Sequence, residues 1–217
     1  MLKSRIVFLS ACLILLTSAG SAFADDADPY GFLSKKFIGA RLGVWINSGD
    51  SLAPGNNNVS NTTFYGEFFF SRHIWPALAA EFIVGLYGRG NVEITDGGDT
   101  YRGQLSIYPI LVTAKFYPLA GIKALQLKPY LQAGGGLIVG NRPTFRYIDA
   151  YYGYDVQQQT KADITYVLGG GFDFPVADQI ALTANFKYTQ ANFGGDFDGA
   201  KDFSGYQFTI GAGYIFK

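Results

Sequence analysis

The residues able to do chemistry in this 217-residue chain are few, and most stand in one kind of place. Arg41, Glu67, Glu81, Lys115, Asp163, Asp173 and Lys187 each have a small or apolar residue on both sides. On an extended chain neighbouring side chains point to opposite faces, so each charge lies on the face its apolar neighbours avoid. Three cations and four carboxylates gathered on one face would have to pair or be hydrated, because an unpaired buried ion is costly. Such a set could act as a polar plug that fixes the structure, or as a gated passage for ions and small solutes. His73 is the one histidine and stands beside Trp75 in what reads as a short, exposed turn. Hydrolytic chemistry would require a nucleophile and an orienting acid with it at the opposite, long-loop end, so His73 reads as an exposed turn residue. Gly134-Gly135-Gly136 and Gly169-Gly170-Gly171 do not lead from a strand into a helix, so they read as strand glycines, not phosphate loops. Tyr147, Tyr151, Tyr152 and Tyr154 form an aromatic group suited to surface recognition or to cross-strand pairing. No catalytic, metal or cofactor site is expected.

The elements that must position these residues follow from a period of two. Residues 204–216 alternate Tyr206, Phe208, Ile210, Ala212, Tyr214 and Phe216 with Gln207, Thr209, Gly211 and Gly213. This run is as long as a tilted membrane-spanning strand needs to be. Seven earlier segments have the same character: 37–47, 63–71, 76–87, 104–117, 129–140, 161–174 and 180–190. In the first, Ile38, Ala40, Leu42, Val44 and Ile46 oppose Gly39, Arg41, Gly43 and Trp45. The fourth is apolar on both faces. Placing Tyr108, Ile110, Val112, Ala114 and Phe116 outward turns Thr113 and Lys115 inward, and Pro109 predicts an irregularity in its ladder. Long polar connections (48–62, 88–103, 141–160, 191–203) alternate with shorter ones (72–75, 118–128, 175–179). Segment 145–155 is expected to continue strands five and six as a hairpin. The fold class is therefore all-β, an eight-stranded antiparallel up-and-down transmembrane β-barrel.

The direction of the apolar face decides between a membrane barrel and a soluble one. A soluble barrel turns that face inward and shows water long Lys and Glu side chains. Here the other face carries Gly, Thr, Ala and Gln with isolated charges, which suits a narrow eight-strand interior. The apolar face is left for lipid, and closure satisfies every backbone group. Aromatics near strand ends fit interfacial girdles: Phe70, Trp75, Phe116, Phe172, Phe174, Tyr214 and Phe216 on the turn side; Tyr87, Tyr101, Tyr108, Tyr188 and Tyr206 on the loop side.

Glycine numbers 28, about 13% against an average near 7%, and aromatics reach 17%, which disfavours disorder. Residues 1–24 read as a secretory signal: Lys3 and Arg5, the apolar stretch 6–16, then Ala22-Phe23-Ala24 for cleavage. Cys12, the lone cysteine, reads as filler of that stretch, so no disulfide framework is expected. Residues 25–36 read as a periplasmic lead-in and 37–217 as the barrel. Removal of Lys3 and Arg5 from the 17 basic residues leaves 15 against 17 acidic ones, which disfavours nucleic acid as a partner.

Three segments, YPILVTAKF at 108–116, KPYLQAGGG at 128–136 and VLGGGFDFPVADQIALTANFKY at 167–188, resemble the small outer-membrane β-barrel family that includes the OmpA membrane domain and OmpW-like proteins. The resemblance implies a bacterial outer-membrane protein inserted by the barrel-assembly machinery, which reads a terminal aromatic. Here Phe216 is followed by Lys217. No periplasmic peptidoglycan-binding domain is expected after the last strand. Outer-membrane lipid, lipopolysaccharide and a surface ligand are the expected partners of a monomer. The function expected is structural and surface-interacting, through long loops over a plugged interior. The alternative is a narrow OmpW-like channel for small or hydrophobic solutes.

Overall fold

The computed structural model describes residues 35–48, 62–96, 99–122, 126–149, 153–197 and 200–216. All of its regular structure is β. The strands are β1 (Lys36–Asn47), β2 (Thr62–Trp75), β3 (Leu78–Asp96), β4 (Asp99–Phe116), β5 (Lys128–Asp149), β6 (Gly153–Ala177), β7 (Ile180–Phe197), the three-residue β8 (Ala200–Asp202) and β9 (Gly205–Phe216). Each of β1 to β7 pairs antiparallel with its successor in the chain. Because β9 pairs with both β7 and β1, eight strands close into a ring, with β8 lying beside β7 alone. Closure leaves the ring without a free edge.

Exposure follows the alternation. On β1, Ile38, Leu42, Val44 and Ile46 lie on the outer surface while Phe37, Arg41 and Trp45 are buried. On β2, Phe68 is 73% exposed and its neighbour Glu67 only 2%. The parity chosen for β4 holds: Tyr108 and Phe116 face out, and Leu111, Thr113 and Lys115 are buried. The outer surface is a continuous apolar belt that includes Leu131, Leu168, Leu182, Phe186 and Ile210, and the polar residues are turned inward. Among the described residues no helix is long and apolar enough to cross a membrane, so any crossing falls to these strands.

Several boundaries differ from those expected. The strand β2 runs through Arg72 and His73 to Trp75, leaving Pro76 and Ala77 to make the turn. Segments 88–103 and 191–203 are not loops throughout. There β3 and β4 pair out to Asp96 and Asp99, past a register shift between Gly88 and Gly90, and β7 continues to Phe197. Their Asn, Asp and Gly content hid strands that lie beyond the belt, where neither face has to be apolar. Pro109 does mark an irregularity. The β3–β4 ladder runs from Leu78–Phe116 to Val84–Ile110 and resumes in the same register at Tyr87–Ile107, skipping the two positions at Pro109 and Tyr108. Residues 145–149 and 153–155 pair as expected of a hairpin, β5 with β6 out to Asp149 and Gly153, and 150–152 lie outside the described residues.

The interior is packed in tiers. Phe37, Ala79, Tyr117, Ala120, Tyr130 and Ile215 on the turn side form one apolar cluster, which reaches past the charges on β3 and β4 through Phe69, Ile83 and Leu111. Phe37 and Phe69 meet edge to face at 4.9 Å between centroids. On the loop side Trp45 stacks on Tyr87 at 4.1 Å, with Tyr65, Ile107, Phe193 and Phe203 around them. Tyr87 is thus an interior residue, not part of an outward girdle.

Candidate functional site

Between the two apolar tiers lies a cluster of charges. Alternation brings each charge inward, and register brings the charges level. Arg41 on β1 pairs with Glu67 on β2, Glu81 on β3 with Thr113 on β4, and Lys115 on β4 with Gln132 on β5. Gln132 is opposite Gly169 on β6, which is opposite Lys187 on β7. Glycine is needed at 169, because a Cβ there would lie 2.6 Å from Lys187 Cα. Likewise at Gly171 a Cβ would stand 2.8 Å from the Tyr130 ring carbon Cζ. These two bare positions let the Lys187 stem and the Tyr130 ring lie against the wall of a narrow barrel.

The guanidinium of Arg41 is the centre. It donates from Nη1 to Glu67 Oε1 at 2.7 Å and from Nη2 to Glu81 Oε2 at 2.7 Å, with Nε 3.3 Å from Thr183 Oγ1. Its Cζ stands 3.8 Å from the centre of the Phe69 ring, a cation–π contact inside a desolvated site. Lys115 Nζ bridges Glu81 at 2.6 Å and Asp173 at 3.5 Å, and lies 4.1 Å from the Tyr130 ring centre. Lys187 reaches the other oxygen of Glu67. All these ion-paired side chains are fully buried. Three cations and three carboxylates, so joined, sum to no net charge.

Neutral groups complete the network. Tyr65 Oη donates to Glu67 Oε2 at 2.6 Å, and Tyr117 Oη to Asp173 Oδ2 at 2.7 Å. Gln132 Nε2 donates to Glu81 Oε1 at 3.0 Å and to Thr113 Oγ1 at 2.7 Å. Asn185 Nδ2 donates to Gln132 Oε1 at 2.7 Å and to Tyr130 Oη at 3.0 Å. A buried carboxylate is tolerable only when its lone pairs are met this way. Chemically the arrangement is a set of ions engaged with one another, and each carboxylate in it is already committed to a cation.

Six of the seven inward charges expected from the sequence meet here: Arg41, Glu67, Glu81, Lys115, Asp173 and Lys187. Asp163 does not. It stands half-buried opposite Ile138, which is opposite Pro109, six residues along β4 from Lys115 and so about 20 Å away. Its Oδ1 accepts from the backbone N–H of Ile164 at 2.7 Å. Alternation fixed its face; its height needed the register. The sequence reading missed Tyr65, Tyr117, Gln132 and Asn185 as partners of the ions. Tyr65 two places before Glu67, and Tyr117 two places after Lys115, are the same-face signals that could have found them.

His73 is also placed otherwise than expected. It is half-buried within β2 opposite Ala79, its Nδ1 donates to the Lys35 carbonyl at 3.0 Å, and its ring lies 5.3 Å from that of Tyr117. Of the tyrosine group, Tyr147 and Tyr154 are register partners in the β5–β6 hairpin, while Tyr151 and Tyr152 lie outside the described residues.

Eight antiparallel strands in chain order, the first closed on the last around a packed interior, make the fold of the small outer-membrane β-barrels. Among solved structures the chain is similar to Neisserial surface protein A, with a TM-score of 0.58 and 14% identity over 84% of this chain and 97% of that one. A major outer membrane protein from Thermus thermophilus gives 0.56 and 12% over 84% and 98%, and the outer membrane protein OprG from Pseudomonas aeruginosa gives 0.53 and 15% over 84% and 96%. At these identities the likeness is one of fold. No protein-family model and no curated protein sequence matches the chain.

Proposed function

We propose that this protein is an integral barrel of a bacterial outer membrane, exported by the signal at 1–24, with a structural and surface-interacting role and an interior closed by its ion cluster. The observation that carries the reading is the neutral, fully buried network of Arg41, Glu67, Glu81, Lys115, Asp173 and Lys187, sealed on both sides by aromatic tiers. An ion crossing it would have to separate charges that lie 2.6–2.7 Å apart in a dry site, a step costing several kcal/mol. The apolar belt supports lipid contact, and the solved barrels of this fold are named as surface or outer-membrane proteins. Contacts with lipopolysaccharide or a surface ligand then fall to the loop end, where the β5–β6 hairpin extends beyond the last β4 pairing at Asn141. Insertion by the barrel-assembly machinery and a monomeric state belong to the same reading. The protein acts on no substrate.

Planar-bilayer recording of the purified protein tests the plug. The wild type is expected to show no steady unitary steps. Reproducible single-channel conductance would overturn the closed interior and favour passage of small solutes.

A further inference from the structure

We infer that the loop-side tier binds one enclosed water molecule, held between the Trp45 indole N–H on β1 and the Gln207 side-chain carbonyl on β9. The two residues are direct register partners at the seam that closes the ring, and both are buried. Among the described residues neither Trp45 Nε1 nor Gln207 Oε1 has a hydrogen-bond partner. A buried polar atom left unmet costs more than a made bond returns, so two of them on facing residues call for a shared partner.

Both atoms stand around one bare stretch of wall. A Cβ at Gly205 would run into Trp45 Nε1, so the indole lies with its N–H edge over that glycine. Gln207, two residues along β9, turns its carboxamide the same way, because Nε2 donates to Thr189 Oγ1 at 2.8 Å and Thr189 is opposite Gly205. That bond commits the amide nitrogen and leaves the oxygen over. The Thr189 hydroxyl, having accepted, still has a proton to donate. Tyr87, stacked on Trp45 at 4.1 Å, and the Phe193–Phe203 pair pack against the same tier.

The donor and acceptor types decide the ligand. An anion accepts from the indole but gives nothing to the amide oxygen, and a metal ion does the reverse. A water accepts from Trp45 and Thr189 and donates to Gln207, within the two to four partners usual for an enclosed water. One such molecule ties β1 to β9 without opening a path through the ion cluster. Its binding depends on the fold alone, whether or not the belt meets lipid.

The test is a crystal structure of the full-length protein at a resolution that shows ordered waters, joined by NMR of the protein carrying isotope-labelled tryptophan in detergent micelles. The map should show one water within about 2.7–3.2 Å of both Trp45 Nε1 and Gln207 Oε1. No density there, a direct Trp45–Gln207 bond, or another side chain bonded to Nε1 overturns the site. In solution the Trp45 indole proton, told from that of Trp75 by Trp75→Phe, should give a cross-peak to water with the sign of close contact, not of exchange. Gln207→Leu removes the acceptor and should lower that peak about fivefold, while Gln190→Leu on the outer face of β7 leaves it unchanged. A wild type without the peak, or a folded Gln207→Leu with the peak undiminished, equally overturns the site. Should Gln207→Leu not fold, the wild-type map decides.

Discussion

Replacing Arg41 with methionine asks whether the interior is held by its charges or only filled by them. The side chain is fully buried and joins Glu67 and Glu81, each at 2.7 Å. Its loss leaves three carboxylates facing two lysines. Neither glutamate is orphaned, for Glu67 keeps Lys187 and Tyr65, and Glu81 keeps Lys115 and Gln132. Breaking a buried pair costs about 3–5 kcal/mol, and the surviving partners put this case near the lower end, at about 3 kcal/mol. With urea slopes of about 1–3 kcal/mol/M, the unfolding midpoint should fall by roughly 1–3 M. The double variant Arg41→Met with Glu81→Gln restores neutrality, leaving Glu67 with Lys187 and Asp173 with Lys115, and should recover to within about 1 kcal/mol of wild type. Urea titration in lipid vesicles checks this, followed by heat-modifiable gel mobility and by tryptophan fluorescence, to which Trp45 contributes from its stack on Tyr87. A single variant within about 0.5 kcal/mol of wild type, or a double variant no milder than the single, refutes the claim that charge balance stabilises the barrel.

Other outcomes follow from the same geometry. Tyr117→Phe removes the bond to Asp173 and should cost about 1.5–3 kcal/mol in the same titration. Gly169→Val drives a side chain into Lys187 and should leave most of the protein unable to reach the heat-modifiable form, whereas Gly66→Ala, which meets only the tip of Leu42 at 3.3 Å, should fold normally. Ile210→Arg in the middle of the outer belt should cost about 2–4 kcal/mol in vesicles and Tyr206→Arg near its rim about 0–1, so equal costs would contradict the lipid-facing assignment. Pro109→Val offers an N–H where the β3–β4 ladder is interrupted, and should raise stability by about 1 kcal/mol with slower amide exchange at Gly85 and Leu86.

The wall was legible wherever one face had to be apolar. Ile38 to Ile46 fixed the direction of Arg41, and Lys115 settled β4 although its middle is apolar on both sides. Height was harder to read. Asp163 and Asp173 share a parity on β6, yet ten residues separate them, and only pairing with β5 and β7 shows which one reaches Lys115. The aromatic seals were legible in part. Trp45, Tyr65 and Phe69 face inward by alternation, but Phe193 and Phe203 pack in the mouth from a stretch whose Gly and Asp content suggested a loop. Nothing local distinguishes such a residue from a solvent-facing one, because its burial depends on strands distant in sequence.

The seam between β1 and β9 sets an order of events. It joins Lys36 to Phe216 and Asn47 to Gly205, so the ring cannot shut until nearly the whole polypeptide has been delivered. Loops this long are slow to close, and their closure is entropically opposed until many contacts form together. Arg41 rides on the strand that waits. The final zippering of the cylinder is therefore also the step that juxtaposes the guanidinium with Thr183, across the last strand to arrive. An unfinished barrel lacks its last stave and the circumferential tie through Arg41 together.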